Sequence, residues 1–149
     1  MQSLAGSGTA RAVISAGLLF GDILSRAHGI EILPVLHSFA EGAVSSYEEC
    51  KSSTPELVHH NCFVSIEKND FLSTDCFPWW KEADIVFINS TCFTRELMEA
   101  LARRAGGMKR GARVVTLTHR LHGEGVELVE AENYTMSWGL ATAFFHRIV

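Results

Sequence analysis

A turn of small residues near the start of the chain is suited to binding a ligand. It consists of Gly6, Ser7, Gly8, Thr9 and Ala10. Such residues let a backbone turn pass close to a ligand, and the free N–H groups of a helix that follows the turn supply hydrogen-bond donors. Glu31 stands 23 positions after Gly8, near the end of a short β-like run. A carboxylate at that separation can accept hydrogen bonds from both hydroxyls of a ribose, so the two pieces predict an adenosine pocket.

The spacing within the turn distinguishes between adenosine cofactors. A nicotinamide dinucleotide fingerprint needs a third glycine at position 11, where Arg11 is too large for close helix–strand packing. The pattern G-x-G-x-A resembles the first motif of class I S-adenosylmethionine-dependent methyltransferases, usually G-x-G-x-G, and this resemblance implies S-adenosylmethionine as the cofactor. Leu4 stands where those enzymes carry an acid that contacts the methionine amine. The strand before the turn is also short, which predicts that an N-terminal part of the domain is missing.

Composition limits the class of protein. A chain of 149 residues with 47% hydrophobic content predicts a single domain over residues 1–149. The net charge of −4, without any block of Lys or Arg, predicts no intrinsic nucleic-acid patch. Four unpaired-looking cysteines predict a reducing intracellular compartment and no metal site. The apolar stretch 12–24 is too short and interrupted for a membrane span, so no membrane partner is expected.

Strand and helix patterns alternate along the chain. Periodicity and turn residues predict helices over 11–20, over 34 to about 50, and after a Thr94 cap, with strands over 27–32, 61–68, 83–89, 126–134 and 141–148. A further strand is entered through residues 108–116, and residues 51–55, 77–80 and 135–140 are expected to be connections. The last two strands must be antiparallel because a parallel pair needs a long crossover. This order predicts an α/β Rossmann-like sandwich, mostly parallel, with a C-terminal antiparallel hairpin.

Asp70 and Phe71 follow the third predicted strand. Class I methyltransferases place an acid there that bonds the adenine amine, beside an apolar residue against the ring, and the resemblance implies these roles for Asp70 and Phe71. An Asp that caps the next turn is an equally open alternative. The adjacent Trp79 and Trp80 are interpreted as a lid packed on the core rather than as part of the pocket.

Four motifs carry a closer resemblance. The segment 89–93 (N-S-T-C-F) is similar to N-N-F-A-F of the histone-lysine methyltransferases of the disruptor-of-telomeric-silencing family, and 29–31 (G-I-E) to their G-V-E. Residues 69–73 (N-D-F-L-S) resemble their G-D-F-L-S, and S-W at 137–138 with F-F at 144–145 their closing S-W and Y-Y. The resemblance implies that Asn89 and Phe93 line the passage between methyl donor and lysine, with Trp138 as a channel wall. A turn-capping Asn89 and a core Trp138 are the alternatives.

The resemblance thus implies a complete site. Its cofactor-binding residues are Gly6, Ser7, Gly8, Thr9, Ala10, Glu31, Ile32, Asp70, Phe71 and Asn89, and its catalytic residues are Asn89, Phe93 and Trp138. The first functional hypothesis is methyl transfer to a lysine of a nucleosomal histone, which places the protein in the nucleus. The second is another protein or a small molecule as acceptor, in the cytoplasm, which the acidic net charge favours. The third is a non-catalytic methyltransferase-like module, which Leu4 favours, and a dehydrogenase ranks behind these. The oligomeric state is not predicted.

Overall fold

The computed structural model describes residues 2–54 and 61–149, which divide into two compact units, Met1–Ser73 and Thr74–Val149. The N-terminal unit contains β1 (Gln2–Ala5), α1 (Arg11–Phe20), β2 (Arg26–Glu31), α2 (Pro34–Ser53) and β3 (Phe63–Lys68). The C-terminal unit contains α3 (Phe77–Glu82), β4 (Ile85–Ile88), α4 (Arg95–Gly106), β5 (Arg113–Leu117), β6 (Val126–Met136) and β7 (Gly139–Ile148). In the described ranges, no helix is long and apolar enough to cross a membrane. The single domain over residues 1–149 stays a prediction.

The three strands of the N-terminal unit are parallel, with β2 between β1 and β3. Ala5 pairs with Ile30, and Glu31 pairs with Lys68, so the carboxyl ends of the strands are level with one another. In parallel sheets the residues that follow these ends meet at one edge. The turn after β1, the acid that ends β2 and the loop after β3 are thereby brought to the same edge of the sheet.

Two glycines let α1 approach the strands closely. A Cβ atom on Gly17 of α1 would lie 2.7 Å from the Val64 side chain of β3. A Cβ atom on Gly29 of β2 would lie 2.7 Å from both Ser7 and Val13. Neither contact leaves space for a methyl group, because real Cβ atoms do not approach within 3.0 Å. The absence of a side chain at both positions therefore sets how tightly the ligand turn and α1 lie against β2 and β3.

The C-terminal unit combines a parallel pair with an antiparallel hairpin. β4 and β5 are parallel, β7 runs antiparallel to β5, and β6 pairs with β7 at the outside. The predicted antiparallel pair is thus confirmed. Thr94 caps α4 as predicted, its hydroxyl accepting a 3.3 Å hydrogen bond from the Leu97 amide. The buried face of α4 contains Met98, Leu101 and Ala105, while Leu97 is half-buried.

Three predicted connections differ from the structure. Residues 51–53 belong to α2, because the hydroxyls of Ser52 and Ser53 donate to carbonyls of the preceding turn at 2.8 and 2.6 Å and support its last residues. Pro55 of that predicted loop lies outside the described residues. The connection 77–80 is part of helix α3, whose Pro78 stands in the first turn where its missing N–H costs nothing. Trp80 is buried, as expected of a core lid, and Trp79 is half-buried.

The third difference is the hairpin between β6 and β7. The linker predicted over 135–140 shrinks to a two-residue turn, Ser137 and Trp138, because the strands continue to Met136 and resume at Gly139. Gly139 has a φ of 130°, a backbone region that favours glycine. Trp138 is consequently 57% exposed at the tip of the hairpin, so the alternative that buries it in the core is wrong.

Two buried histidines join neighbouring strands. In the N-terminal unit, His28 Nδ1 lies 2.9 Å from Ser65 Oγ, and its Nε2 lies 3.6 Å from a Glu67 carboxylate oxygen. Burial lowers the pKa of His28 from 6.5 to about 4, against the opposing effect of Glu67. In the C-terminal unit, Nδ1 of His146 in β7 lies 3.1 Å from the Val114 carbonyl of β5, its Nε2 accepts from the Leu121 amide at 3.2 Å, and burial likewise lowers its pKa. Both rings are neutral at pH 7.

Candidate functional site

The small-residue turn after β1 is held against β2 by its backbone. The amides of Gly6 and Ser7 both donate to the Ile30 carbonyl at 2.9 Å. Gly6 has a φ of 69° and Gly8 a φ of 57°, conformations that glycine adopts without strain. Nothing lies within 4 Å of a Cβ placed on Gly8, so that face of the turn is open. Ala10 also has a positive φ, of 64°, which explains why a glycine is usual at this position.

Glu31 fastens the turn from the neighbouring strand. One carboxylate oxygen accepts from the Gly8 amide at 2.8 Å, and the other accepts from the Leu33 amide at 2.9 Å. The residue is only 5% exposed. A carboxylate has about four lone-pair positions, so two of them remain for further donors such as the hydroxyls of a ribose. The sequence-predicted pair of Gly8 and Glu31 is therefore in direct contact.

The N-terminus of α1 opens on the same turn. Its N-cap residue, Ala10, makes no side-chain cap, and the first turn of the helix contains no acidic residue. The first backbone N–H groups of a helix have no partner within the helix, and they carry the positive end of its dipole. A ligand carboxylate, such as that of a methionine group, is the kind of anion that such a helix end stabilises.

The loop after β3 completes the edge of the N-terminal unit. Asp70 is exposed, and its Oδ1 accepts from the Leu72 amide at 2.8 Å, while Asn69 Oδ1 accepts from the Asp70 amide at 2.8 Å. Asp70 thus caps the turn, as the alternative to an adenine contact predicted. Its contact with adenine stays a prediction. Phe71 is buried, whereas Ile32 is 54% exposed beside the Glu31 anchor.

The residues of the N-terminal unit suit an adenosine-containing cofactor. The unit brings nine of the predicted residues to one edge of its sheet, namely Gly6, Ser7, Gly8, Thr9, Ala10, Glu31, Ile32, Asp70 and Phe71. The space over Gly8 is open and would admit a ligand, and a side chain at this position would occupy that space. Ser7 Oγ is buried without a hydrogen-bond partner in the described ranges, which leaves one donor in the turn unused. Their individual contacts with the cofactor stay predictions.

The two residues predicted to line the passage to the methyl acceptor, Asn89 and Phe93, are called the acceptor gate, and they lie in the loop 89–93 (the Asn89 loop) of the C-terminal unit, directly after β4. Asn89 is exposed, and its Oδ1 accepts from the Thr91 hydroxyl at 2.9 Å. Thr91 in turn accepts from the Thr118 hydroxyl at 3.1 Å. Ser90 is fully buried and donates to the Leu117 carbonyl at 2.6 Å. These bonds fix the loop to the end of β5 and orient the Asn89 side-chain amide, whose Oδ1 keeps a second lone pair for a ligand donor.

Phe93 and Trp138 occupy different places in this unit. Phe93 contributes to the wall of a cavity of about 560 Å³ that also contains residues of α4 and of the loop after β5. Trp138 is at the hairpin turn and is not among the residues that line this cavity. The catalytic roles of Asn89, Phe93 and Trp138 stay predictions.

The sequence comparison assigns the chain to a family. A family model described as "Histone methylation protein DOT1" matches residues 4–141. The chain belongs to the DOT1 family. This is the disruptor-of-telomeric-silencing family that the four motifs resemble, and the residues matched include both the small-residue turn and the Asn89 loop. No curated protein matches the chain in a sequence search.

Solved structures show the fold to be that of class I methyltransferases. TrmN from Thermus thermophilus matches with a TM-score of 0.72 at 18% identity, covering 100% of this chain and 44% of its own. The rRNA methyltransferase aviRa from Streptomyces viridochromogenes has a TM-score of 0.70 at 13% identity, covering 98% and 75%. A geranyl diphosphate C-methyltransferase from Streptomyces coelicolor A3(2), in complex with S-adenosyl-L-homocysteine, has a TM-score of 0.66 at 12% identity, covering 99% and 73%. The chain therefore spans between 44% and 75% of these relatives, and S-adenosylmethionine is the cofactor of their class.

Sequence reasoning missed several residues that hold the site together. Gly29 allows the ligand turn to lie against β2, and an isolated glycine inside a strand is a signal of such close approach. Ser90 and Thr118 anchor the Asn89 loop, and Thr118 does so with a φ of 68°. No local pattern identifies these two, because their partners are 27 positions away.

Proposed function

We propose that this chain transfers a methyl group from S-adenosylmethionine to a lysine amine of a nucleosomal histone, in the nucleus. The observation that carries the cofactor half of the proposal is the double hydrogen bond of Glu31 to Gly8 and Leu33 at the open turn. The family match supports the acceptor half. The cofactor supplies a methyl group on a positively charged sulfur, so no metal and no covalent intermediate with the protein is needed.

The N-terminal unit would bind the cofactor in three parts. Glu31 would accept hydrogen bonds from the ribose hydroxyls with its two remaining lone-pair positions. The first N–H groups of α1 would bind the methionine carboxylate, assisted by the helix dipole. Asp70 would accept from the adenine amine with the carboxylate oxygen that does not bond Leu72, and the exposed Ile32 would pack on the adenine ring.

The acceptor gate has the chemistry to position an amine. A neutral amine accepts hydrogen bonds through its lone pair and donates them through its hydrogens, and the lone pair must point at the methyl group. Asn89 presents an amide whose orientation is fixed through Thr91 and Thr118. Phe93 would exclude water from the amine. Well-oriented placement of two reactants can lower a barrier by about 7–11 kcal/mol, and this is the work that the gate would do.

Two substitutions at equivalent glycines test the cofactor site. Gly8 and Gly111 both have positive φ values, of 57° and 86°, and a Cβ on either meets nothing within 4 Å. Gly8→Ala and Gly111→Ala should therefore lose similar amounts of stability, about 1–2 kcal/mol each. Only Gly8→Ala should weaken S-adenosylmethionine binding in calorimetric titration, because only its methyl group enters the open turn. Equal affinities in the two variants would contradict the assignment of the turn to the cofactor.

The acceptor is tested by methyl transfer from radiolabelled S-adenosylmethionine to nucleosomes, free histones and RNA. The proposal expects label on a histone lysine of the nucleosomes. Asn89→Ala should lower the rate of methyl transfer even at saturating cofactor. Label that appears on RNA, or on free histones as readily as on nucleosomes, would refute the nucleosomal acceptor.

A further inference from the structure

A cleft in the C-terminal unit lies beside the Asn89 loop. Its cavity, about 560 Å³, is formed by Phe93, by the first part of α4 and by the loop after β5. The lining residues are Phe93, Arg95, Met98, Glu99, Thr118, His119, Arg120 and His122. Positively charged, aromatic and apolar side chains therefore share one concave surface, and Glu99 is the one acid among the described residues that line it.

The charge at this cleft differs from that of the whole chain. Residues 74–149 contain nine Lys or Arg and nine Asp or Glu, so the net charge of −4 resides entirely in residues 1–73. Three acids of the C-terminal unit, Glu127, Glu130 and Glu132, belong to β6 rather than to the cleft. Among the described residues, the Glu99 carboxylate accepts a hydrogen bond from Nε of Arg95, at 3.0 Å. A guanidinium has five N–H donors, so the other donors of Arg95 remain for a ligand.

The loop that supplies half of the cleft is fixed in place. Thr116 Oγ1 donates to the His119 carbonyl at 2.6 Å, and the Leu121 amide donates to the buried ring of His146 at 3.2 Å. These bonds precede and follow Arg120, whose own side chain is exposed. Binding a ligand to a preformed loop avoids the entropic cost of ordering it.

We infer that this cleft binds one unpaired nucleotide of a single-stranded nucleic acid. The guanidinium groups of Arg95 and Arg120 match the phosphate, since the planar fork of arginine binds phosphate oxygens in pairs. Phe93 and Met98 provide an apolar surface for the base, and aromatic stacking beside cationic groups is the usual mode of single-strand recognition. A concave site of this size accepts a base that has left its stack, whereas a duplex keeps the faces of its bases stacked on one another. The inference concerns binding alone and does not rest on the acceptor proposed above.

The test measures fluorescence anisotropy of a labelled oligouridylate with the full chain. Arg120→Ala should weaken binding about tenfold, the effect of losing one charge-assisted hydrogen-bonding group. It should also flatten the dependence of log Kd on log salt by about 0.7, the value for one phosphate contact on a single strand. The matched control is Arg110→Ala, which removes the same charge from an exposed turn outside the cleft and should leave the affinity unchanged.

A second variant acts in the opposite direction. Glu99→Gln removes the single acid of the cleft and should tighten binding of the oligouridylate, while Glu130→Gln on β6 should not. The inference is overturned if Arg120→Ala and Arg110→Ala bind equally, or if duplex DNA or a polyglutamate peptide binds as tightly as the single strand. Because the assay needs neither cofactor nor methyl transfer, a negative result leaves the proposed methyltransferase activity standing.

Discussion

Glu31→Gln tests two roles of one carboxylate, namely the hydrogen bonds that hold the turn and the proposed contact with the ribose. The wild-type side chain accepts two hydrogen bonds, from the amides of Gly8 and Leu33. Glutamine keeps one oxygen and replaces the other with an NH₂ group, so one of the two amides must face a donor. Solvent cannot replace the lost acceptor because the site is only 5% exposed.

The expected loss follows from these contacts. A hydrogen bond to a charged group contributes about 1.5–3 kcal/mol, and a buried donor without an acceptor costs a similar amount. We expect Glu31→Gln to lower the free energy of unfolding by about 2–3 kcal/mol, which corresponds to roughly 4–12 °C in Tm for a chain of this size. Affinity for S-adenosylmethionine should fall at least about tenfold, since the oxygen that remains keeps only one lone-pair position for the two ribose hydroxyls.

Urea denaturation and calorimetric titration measure the two effects on the same samples. The control is Glu41→Gln, which makes the same chemical change at an exposed position of α2 and should alter neither quantity. A Glu31→Gln protein as stable as the wild type would refute the claim that the carboxylate fastens the turn. A destabilised variant with unchanged cofactor affinity would instead refute the ribose contact.

Three further changes test contacts inside each unit. Gly29→Ala should lower the free energy of unfolding by about 1–3 kcal/mol or more, because its methyl group has no space. Gly42→Ala, on an open face of α2, should raise it by about 1 kcal/mol, and thermal unfolding of both variants measures the difference. Ser90→Ala should cost only about 1 kcal/mol in urea denaturation, because the Leu117 carbonyl keeps a backbone donor. Between pH 6.5 and 4 the unfolded chain binds a proton at His28 that the folded chain does not bind, so the free energy of unfolding should fall by about 3 kcal/mol as the pH is lowered. His28→Gln should lose less stability than the wild type over this range, and urea midpoints that fall equally in both proteins would contradict this.

The sequence predicts those elements whose signals are local. α1 has the predicted bounds, since its periodic apolar residues end at a glycine, and the antiparallel hairpin follows from the short distance between its strands. The separation of Gly8 and Glu31 predicts that they share one adenosine pocket, and the level ends of parallel strands bring the two residues into contact. Residues 51–53 were harder to predict, because the serine hydroxyls that are typical of loops here bond carbonyls of the preceding helical turn.

The rest of the site depends on distant pairs. Arg95 and Arg120 are far apart in the chain, so the absence of a basic block gave no indication that both line one cleft. The orientation of Asn89 depends on hydroxyls of Thr91 and Thr118, and the second of these belongs to another loop. The side-chain pattern of a single segment contains no information about such partners.

The two hydrogen bonds of Glu31 have a consequence for how related sequences are interpreted. A copy of this gene that had lost its catalytic role would still need an acid at this position, because the backbone of the turn and of Leu33 requires it for folding. Purifying selection on stability alone would then preserve the most recognisable part of the cofactor motif. Persistence of this acid in a lineage is therefore no proof that the lineage still methylates anything, and the exposed Asn89, whose catalytic role is a proposal, is free of the same folding requirement.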